Sequence, residues 1–250
     1  MENASGEGAR ERPLITPEEL IPAEVISQYP LKKLILAFMP IRRIIEYLGP
    51  KLTGAHHLDE KTEWYRCWYI DNETVLAGPI WGGPMCSVVL EELSVFGVKY
   101  AVGCGYSGTL DANIPLGSMM IADSGLCSDG TTREYTVDDE IHGDEEMLGL
   151  LCSTMRSHGV EPQHGKVWTM DAIYRELPSK AAYWKEKGAG FVNMETSCFY
   201  AVARTKGIKA AYFSVVSDCL EGEKWSGWHD NLDRPVERMW DISLELLEGL

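Results

Sequence analysis

The stretch FVNMETSCFYAVARTKGIKAAYFSVVSD, Phe191 to Asp218, limits the folds open to this chain and sets two acids, Glu195 and Asp218, in otherwise apolar surroundings. After Gly188 and Gly190, the apolar pair Phe191 and Val192 reads as the end of a short strand. From Met194 onward, apolar residues recur at helical intervals (Met194, Cys198, Ala201, Val202), and Gly207 stops the helix. Ile208 to Val216 is β-branched and aromatic without sustained alternation, which predicts a strand buried on both faces. A right-handed crossover predicts that the two strands are parallel, with both acids just past a carboxyl end on one edge of one sheet. Neighbouring or next-neighbouring strands lie about 5 to 10 Å apart, so one small molecule can touch both acids. Either acid alone also has a structural explanation, Glu195 as a first-turn carboxylate favoured by the helix dipole and Asp218 as turn chemistry.

The same alternation recurs along the chain. Leu34 to Met39 leads into IRRIIEYLG, Thr74 to Ile80 leads through WGGP into MCSVVLEELSVFG, and Tyr100 to Gly105 leads into YSGTLDANIPLG. Ser118 to Ala122 reads as a strand, Val167 to Met170 precedes a helical stretch around Ser179 to Lys187, and an amphipathic helix runs from about Arg234 to Leu247. Strands alternating with helices predict a single-domain, three-layer α/β/α fold with a mixed, mainly parallel central sheet. Residues 14–250 are expected to form that domain, and residues 1–13, polar and glycine-bearing, a mobile tail. Glycine, hydroxyl, arginine and acid residues concentrate after the expected strands, on the edge where α/β sheets bind ligands.

Hydrophobic residues at 45% and charged residues at 24% suit a soluble globular protein, while a net charge of −15 disfavours nucleic acid and anionic membrane as partners. Seven cysteines without a CxxC pair, and no secretory signal at the start, point to a reducing compartment, so the expected location is cytoplasmic. No apolar run approaches the roughly 18 residues of a membrane helix.

GCGYSG, Gly103 to Gly108, formally matches GxGxxG after a strand. A dinucleotide site requires a helix to open at the last glycine, yet TLDANIPLG follows, with Pro115 and Gly117 marking a turn. The segment reads either as a tight turn or as a cradle of backbone N–H groups with the hydroxyls of Tyr106 and Ser107. The histidines and cysteines show no metal-ligand spacing, so no metal is expected. No GxSxG nucleophile elbow is present, and DDEIHGDEE reads as a solvated loop and helix start. Trp225 and Trp228 read equally as surface anchors or as a lid over a ligand.

GGPMCSVVLEEL, GYSGTLDANIPLGSMMIAD, SDGTTREY, VWTMDAIYRE and VNMETSCFYAVARTKGIKAAYFSVVSD, in this order and spacing, resemble the nucleoside phosphorylase and nucleosidase superfamily over roughly Leu34 to Asp230. The resemblance implies cleavage of an N-glycosidic bond, in which positive charge develops on the ribose and negative charge on the departing base. It implies that Glu195 holds the ribose hydroxyls with Met194 packed against it, and that Asp218 donates a proton or hydrogen bond to a purine-type base. Ile173, Tyr174, Phe191, Val192 and Asn193 are the implied base-binding residues, Asn193 standing where an acid often precedes the Met-Glu pair. Phosphorolytic members carry a Gly-Asp-x-x-Arg loop after the first strand and an arginine before the second glycine loop. Here MPIRR retains only Arg42 or Arg43, and Gly103 or a nearby apolar residue stands where the second arginine is expected. Arg43, Arg133 and Arg175, with Gly105, Tyr106 and Ser107, are the candidate phosphate ligands, and water is the alternative nucleophile.

The expectation is therefore an enzyme of nucleoside metabolism and salvage, phosphorolytic with inorganic phosphate as co-substrate or, alternatively, hydrolytic. A non-catalytic nucleoside-binding or storage protein is the rival from another class. No other cofactor is expected, the partner is a small-molecule nucleoside, and the resemblance implies a homo-oligomer (hexamer, trimer or dimer).

Overall fold

The computed structural model describes residues 13–49, 52–56, 65–221, 225–228 and 231–250, so all but the last residue of the expected tail lies outside the described residues. Two short helices, α1 (Pro17–Leu20) and α2 (Ala23–Gln28), precede β1 (Lys33–Phe38) and α3 (Ile41–Leu48). Next come β2 (Thr53–His56), β3 (Arg66–Tyr69), β4 (Thr74–Gly78), α4 (Gly82–Ser94), β5 (Tyr100–Thr109) and β6 (Met119–Cys127). They are followed by α5 (Gly130–Tyr135), β7 (Glu140–His142), α6 (Glu145–Ser157), β8 (Gln163–Thr169) and a 3-10 turn at Ile173–Arg175. The chain continues through α7 (Pro178–Glu186), β9 (Ala189–Asn193), α8 (Thr196–Lys206), β10 (Lys209–Cys219) and α9 (Asp233–Glu248).

β1 shows why the sheet is covered on both sides. Leu34, Leu36 and Phe38 enter one core with residues of α4 and α8, while Ile35 and Ala37 enter a second with residues of α3, α6 and α9. A strand with no polar face is stable only between two helical layers, which gives the three-layer arrangement expected from the sequence. β10 divides likewise, with Ala210, Tyr212 and Val216 on one side and Ala211, Phe213 and Val215 on the other. Gly207 ends α8 at φ +66°, the left-handed conformation that lets the chain turn back into β10. Among the described residues no helix is long and apolar enough to cross a membrane.

β5 organises the site. It runs parallel to β1 on one side and to β10 on the other. Where β1 ends, β9 takes its place, pairing antiparallel with Gly108 and Thr109 of β5. β9 continues through β8 and β6 back to β10, so five of the strands close into a ring. β9 and β10 therefore run in opposite senses, not parallel as the crossover argument predicts. Val192, three residues before Glu195, and Asp218 nonetheless both register with Gly108, one on each side of β5. Two strand spacings, about 10 Å, separate those flanking residues.

GCGYSG is not a turn but the interior of β5, and its glycines thin that strand against its neighbours. A Cβ on Gly103 would lie 2.7 Å from the Tyr212 ring, and one on Gly105 2.6 Å from the backbone oxygen of Phe38. The second contact is with main chain that cannot rotate away. Gly105→Ala is expected to destabilise the fold by about 2–3 kcal/mol, whereas Gly190→Ala, where a Cβ meets nothing within 4 Å, is expected to be near neutral. Urea midpoints of the two variants check this. The acidic run departs from expectation in part, since Glu140–His142 forms β7 on the edge of β6, while Asp144 caps the expected helix start, α6, through the Met147 N–H at 3.0 Å.

Candidate active site

Asn193, the last residue of β9, fixes the start of α8. Its Oδ1 accepts from the N–H groups of Glu195 and Thr196, both at 3.2 Å, and its Nδ2 donates to Thr196 Oγ1 at 2.8 Å. A longer bond of 3.4 Å runs from Nδ2 to Ser107 Oγ on β5. An amide can be donor and acceptor at once, which a carboxylate cannot. Asn193 thus joins β9, α8 and β5, and this architectural duty occupies the residue expected to bind base.

Glu195 is 6% exposed. Its carboxylate receives the N–H of Gly82 at 2.8 Å and the N–H of Met194 at 3.2 Å. Gly82, at φ +72°, opens α4, so the carboxylate meets the positive end of that helix, and the Met194 methyl lies against the same glycine. Burial pushes the Glu195 carboxyl up to about 7, against the pull of its two N–H donors and with a further push from Asp129. Asp129 is itself buried, caps α5 through the Thr132 N–H at 2.8 Å and accepts from Ser197 Oγ at 2.6 Å. Burial, and then the charge of Glu195, raise the Tyr212 hydroxyl well above its ordinary range, which marks Tyr212 as a neighbour of the clamp.

Asp218, 9% exposed, accepts from Ser217 Oγ at 2.6 Å on one oxygen and from Trp225 Nε1 at 2.7 Å on the other. The two tryptophans are thus distinguished by contact: Trp225 binds the acid, and Trp228 packs edge-on against Tyr106 at 5.8 Å between ring centroids. Asp218, Leu220 and Val192 all crowd Gly108, where a Cβ would meet them at 3.4, 2.5 and 3.1 Å. Val192 is thus close to Asp218, and it is buried in an apolar cluster with Leu110, Leu126 and Trp168. Leu220 also lines a neighbouring cavity of about 220 Å³ with Leu110, Pro178 and Ala181, rimmed by the Lys185–Glu221 ion pair.

The other implied residues are placed differently. Phe191 is 1% exposed and belongs to the core beside Gly165. Ile173 and Tyr174 stand on the exposed 3-10 turn at 44% and 96% exposure. Arg43 lies near Tyr106 and is bound to Asp233 at 2.6 Å, while burial raises the Tyr106 hydroxyl and the Arg43 charge pulls it back. Arg133 donates to the carbonyls of Cys127, Val137 and Asp138 and to Asp139, so its guanidinium serves the loop after β6. Arg175 is exposed beside Tyr174. Ser107 is buried and accepts from Ser214 Oγ at 2.8 Å. Gly82, Asp129, Ser217 and Trp225 were not identifiable as partners of the two acids from sequence, because each reaches them across the fold or through a side-chain rotamer.

A buried carboxylate at the N-terminus of α4, just past β9, and a second, hydroxyl- and indole-bound acid near the end of β10 belong to the two strands that flank Gly108 of β5. The profile of the phosphorylase superfamily matches residues 34–248, and the chain belongs to that family. It is 27% identical over 176 residues to a guanosine phosphorylase of Halorubrum lacusprofundi, covering 68% of this chain and 73% of the relative. Its fold is shared with uridine phosphorylase of Vibrio fischeri ES114 (TM-score 0.74, 19% identity, 89% of this chain and 94% of the other). It is shared equally with AMP nucleosidase of Bacteroides thetaiotaomicron (TM-score 0.73, 15% identity, 94% and 98%). The chain is an enzyme of the nucleoside phosphorylase and nucleosidase group.

Proposed function

We propose that the chain cleaves the N-glycosidic bond of a purine-type nucleoside, with Glu195 orienting the ribose hydroxyls and Asp218 engaging the base. The observation that carries this reading is the common registration of Val192 and Asp218 with Gly108, so that the strand leading into Glu195 and the strand carrying Asp218 flank one glycine. The guanosine phosphorylase relative supports a purine substrate.

Water as the nucleophile is the version the geometry supports best. A phosphate dianion in a protein of net charge −15 needs local cations, since burying it unpaired is unfavourable by several kcal/mol. Gly103 is enclosed by Tyr212, Phe38 and Phe199, and Arg133 is committed to carbonyl oxygens. Phosphorolysis is favoured by one specific observation, Arg43 beside Tyr106 at the end of β1, and requires Arg43 to exchange Asp233 for phosphate. A panel of adenosine, guanosine, inosine and uridine assayed with and without inorganic phosphate separates the two. Base release at an unchanged rate in phosphate-free buffer, with free ribose as co-product, is the expected result; phosphate-dependent release of ribose 1-phosphate would establish the other. A second copy of the chain is expected to cover Ile173 and Tyr174 and complete the base wall, which light scattering of the intact protein tests.

A further inference from the structure

A second constellation of reactive side chains shares no residue with the two acids or their partners. Cys152 of α6 sets its Sγ 3.7 Å from Nε2 of His164 on β8, and Nδ1 of the same ring lies 2.9 Å from Oδ1 of Asp123 on β6. A carboxylate only accepts, so Nδ1 carries the ring proton and Nε2 turns its lone pair to the thiol. Three elements bring these groups together. α6 delivers the cysteine, β8 runs parallel to β6, and the register of that strand pair shifts between Ala122 and Ser124, which sets Asp123 out of step with the ladder. Arg156, one turn further along α6, is paired with Glu161 at 2.7 Å, so the base within reach of the sulfur is His164. Of the seven cysteines five are buried, and Cys152 and Cys219 are the two that are partly exposed.

Nucleophile, base and orienting acid in this order form the arrangement that activates a cysteine. We propose that Cys152 is a thiol-modification site, at which His164, oriented by Asp123, activates the sulfur for exchange with low-molecular-weight disulfides. In the step itself the Cys152 proton passes to His164 Nε2 as the sulfur bonds to one sulfur of the disulfide R–S–S–R. The S–S bond breaks, and its electron pair stays on the departing sulfur. That sulfur takes the proton from His164 and leaves as R–SH, so Cys152 is oxidised to a mixed disulfide while the other half of the reagent is reduced. An ordinary thiol is already a few per cent thiolate at pH 7, so a positioned base can speed the exchange by at most about 30-fold.

The test incubates the full chain with glutathione disulfide at pH 7 and follows each cysteine by peptide mass spectrometry, with Cys219 as the internal comparison. Cys152 is expected to react about tenfold faster than Cys219, within the limit set by its ordinary thiolate fraction. His164→Ala is expected to bring Cys152 down to the Cys219 rate, and added imidazole to restore most of the loss, which a merely structural histidine would not allow. Asp123→Asn is expected to slow Cys152 by about threefold while the Cys219 rate stays unchanged, because the ring keeps its base but loses its orientation. A Cys152 that reacts no faster than Cys219, or a His164→Ala variant that keeps the wild-type rate or is not rescued by imidazole, overturns the proposal. Should His164→Ala unfold, seen as reaction of the five buried cysteines, an unchanged Cys152 rate in Asp123→Asn overturns it instead. None of these outcomes depends on nucleoside cleavage.

Discussion

Asp218→Asn is expected to lower kcat/KM on a purine nucleoside by about 10²- to 10³-fold, the scale set by loss of one preorganised polar group of an active site. The substitution keeps the side chain's size and one acceptor oxygen. That oxygen can retain the Trp225 indole, and the Ser217 hydroxyl can turn to accept from the new amide, because a hydroxyl serves either role. The fold is therefore expected to survive, with a thermal midpoint within a few degrees of wild type, and near-normal thermal unfolding beside collapsed kinetics is the signature sought. A storage protein on this scaffold would have no turnover to lose. An Asp218→Asn variant working within threefold of wild type would remove Asp218 from the chemistry.

What could be read from the chain and what could not divide along one line. Burial on both faces of β1 and β10 is written in the unbroken apolar runs LILAF and AAYFSVV, so the three layers followed from pattern alone. The same periodicity predicts both acids just past a strand; Glu195 does follow β9, whereas β10 runs on through Asp218 to Cys219. The direction of β9 did not follow from pattern, because pairing sense depends on β1 ending early enough for β9 to enter beside Gly108, and that is a property of three strands at once. The glycines of GCGYSG carried the right weight for the wrong reason. A glycine admits a turn or a close neighbour equally well, and here the neighbours are Tyr212 and the Phe38 carbonyl. Asn193 illustrates the same limit: its two-sided hydrogen bonding to Glu195, Thr196 and Ser107 emerges only once β9, α8 and β5 converge.

Glu195→Gln is expected to alter both stability and rate, and the two effects have opposite signs. The folded-state carboxyl stands at about 7 against an ordinary value of 4.5, raised chiefly by burial. Below pH 4.5 both folded and unfolded forms hold the proton and no penalty exists. Between 4.5 and 7 the unfolded chain releases its proton while the folded chain retains it, so stability falls with rising pH; above 7 the loss is complete, at about 3 kcal/mol. Glutamine does not titrate and can still accept the Gly82 N–H through its amide oxygen. The stability difference, variant minus wild type, is therefore expected to grow by about 3 kcal/mol from pH 4.5 to pH 8 in urea unfolding. A difference that stays flat across this window would mean that Glu195 is not the buried acid described. Catalysis runs the other way, because the clamp accepts ribose hydroxyl protons best as a carboxylate, so wild-type activity is expected to rise as Glu195 ionises. Glu195→Gln is expected to erase that acidic limb of the pH–rate profile, a change that a purely structural role for the residue would not produce.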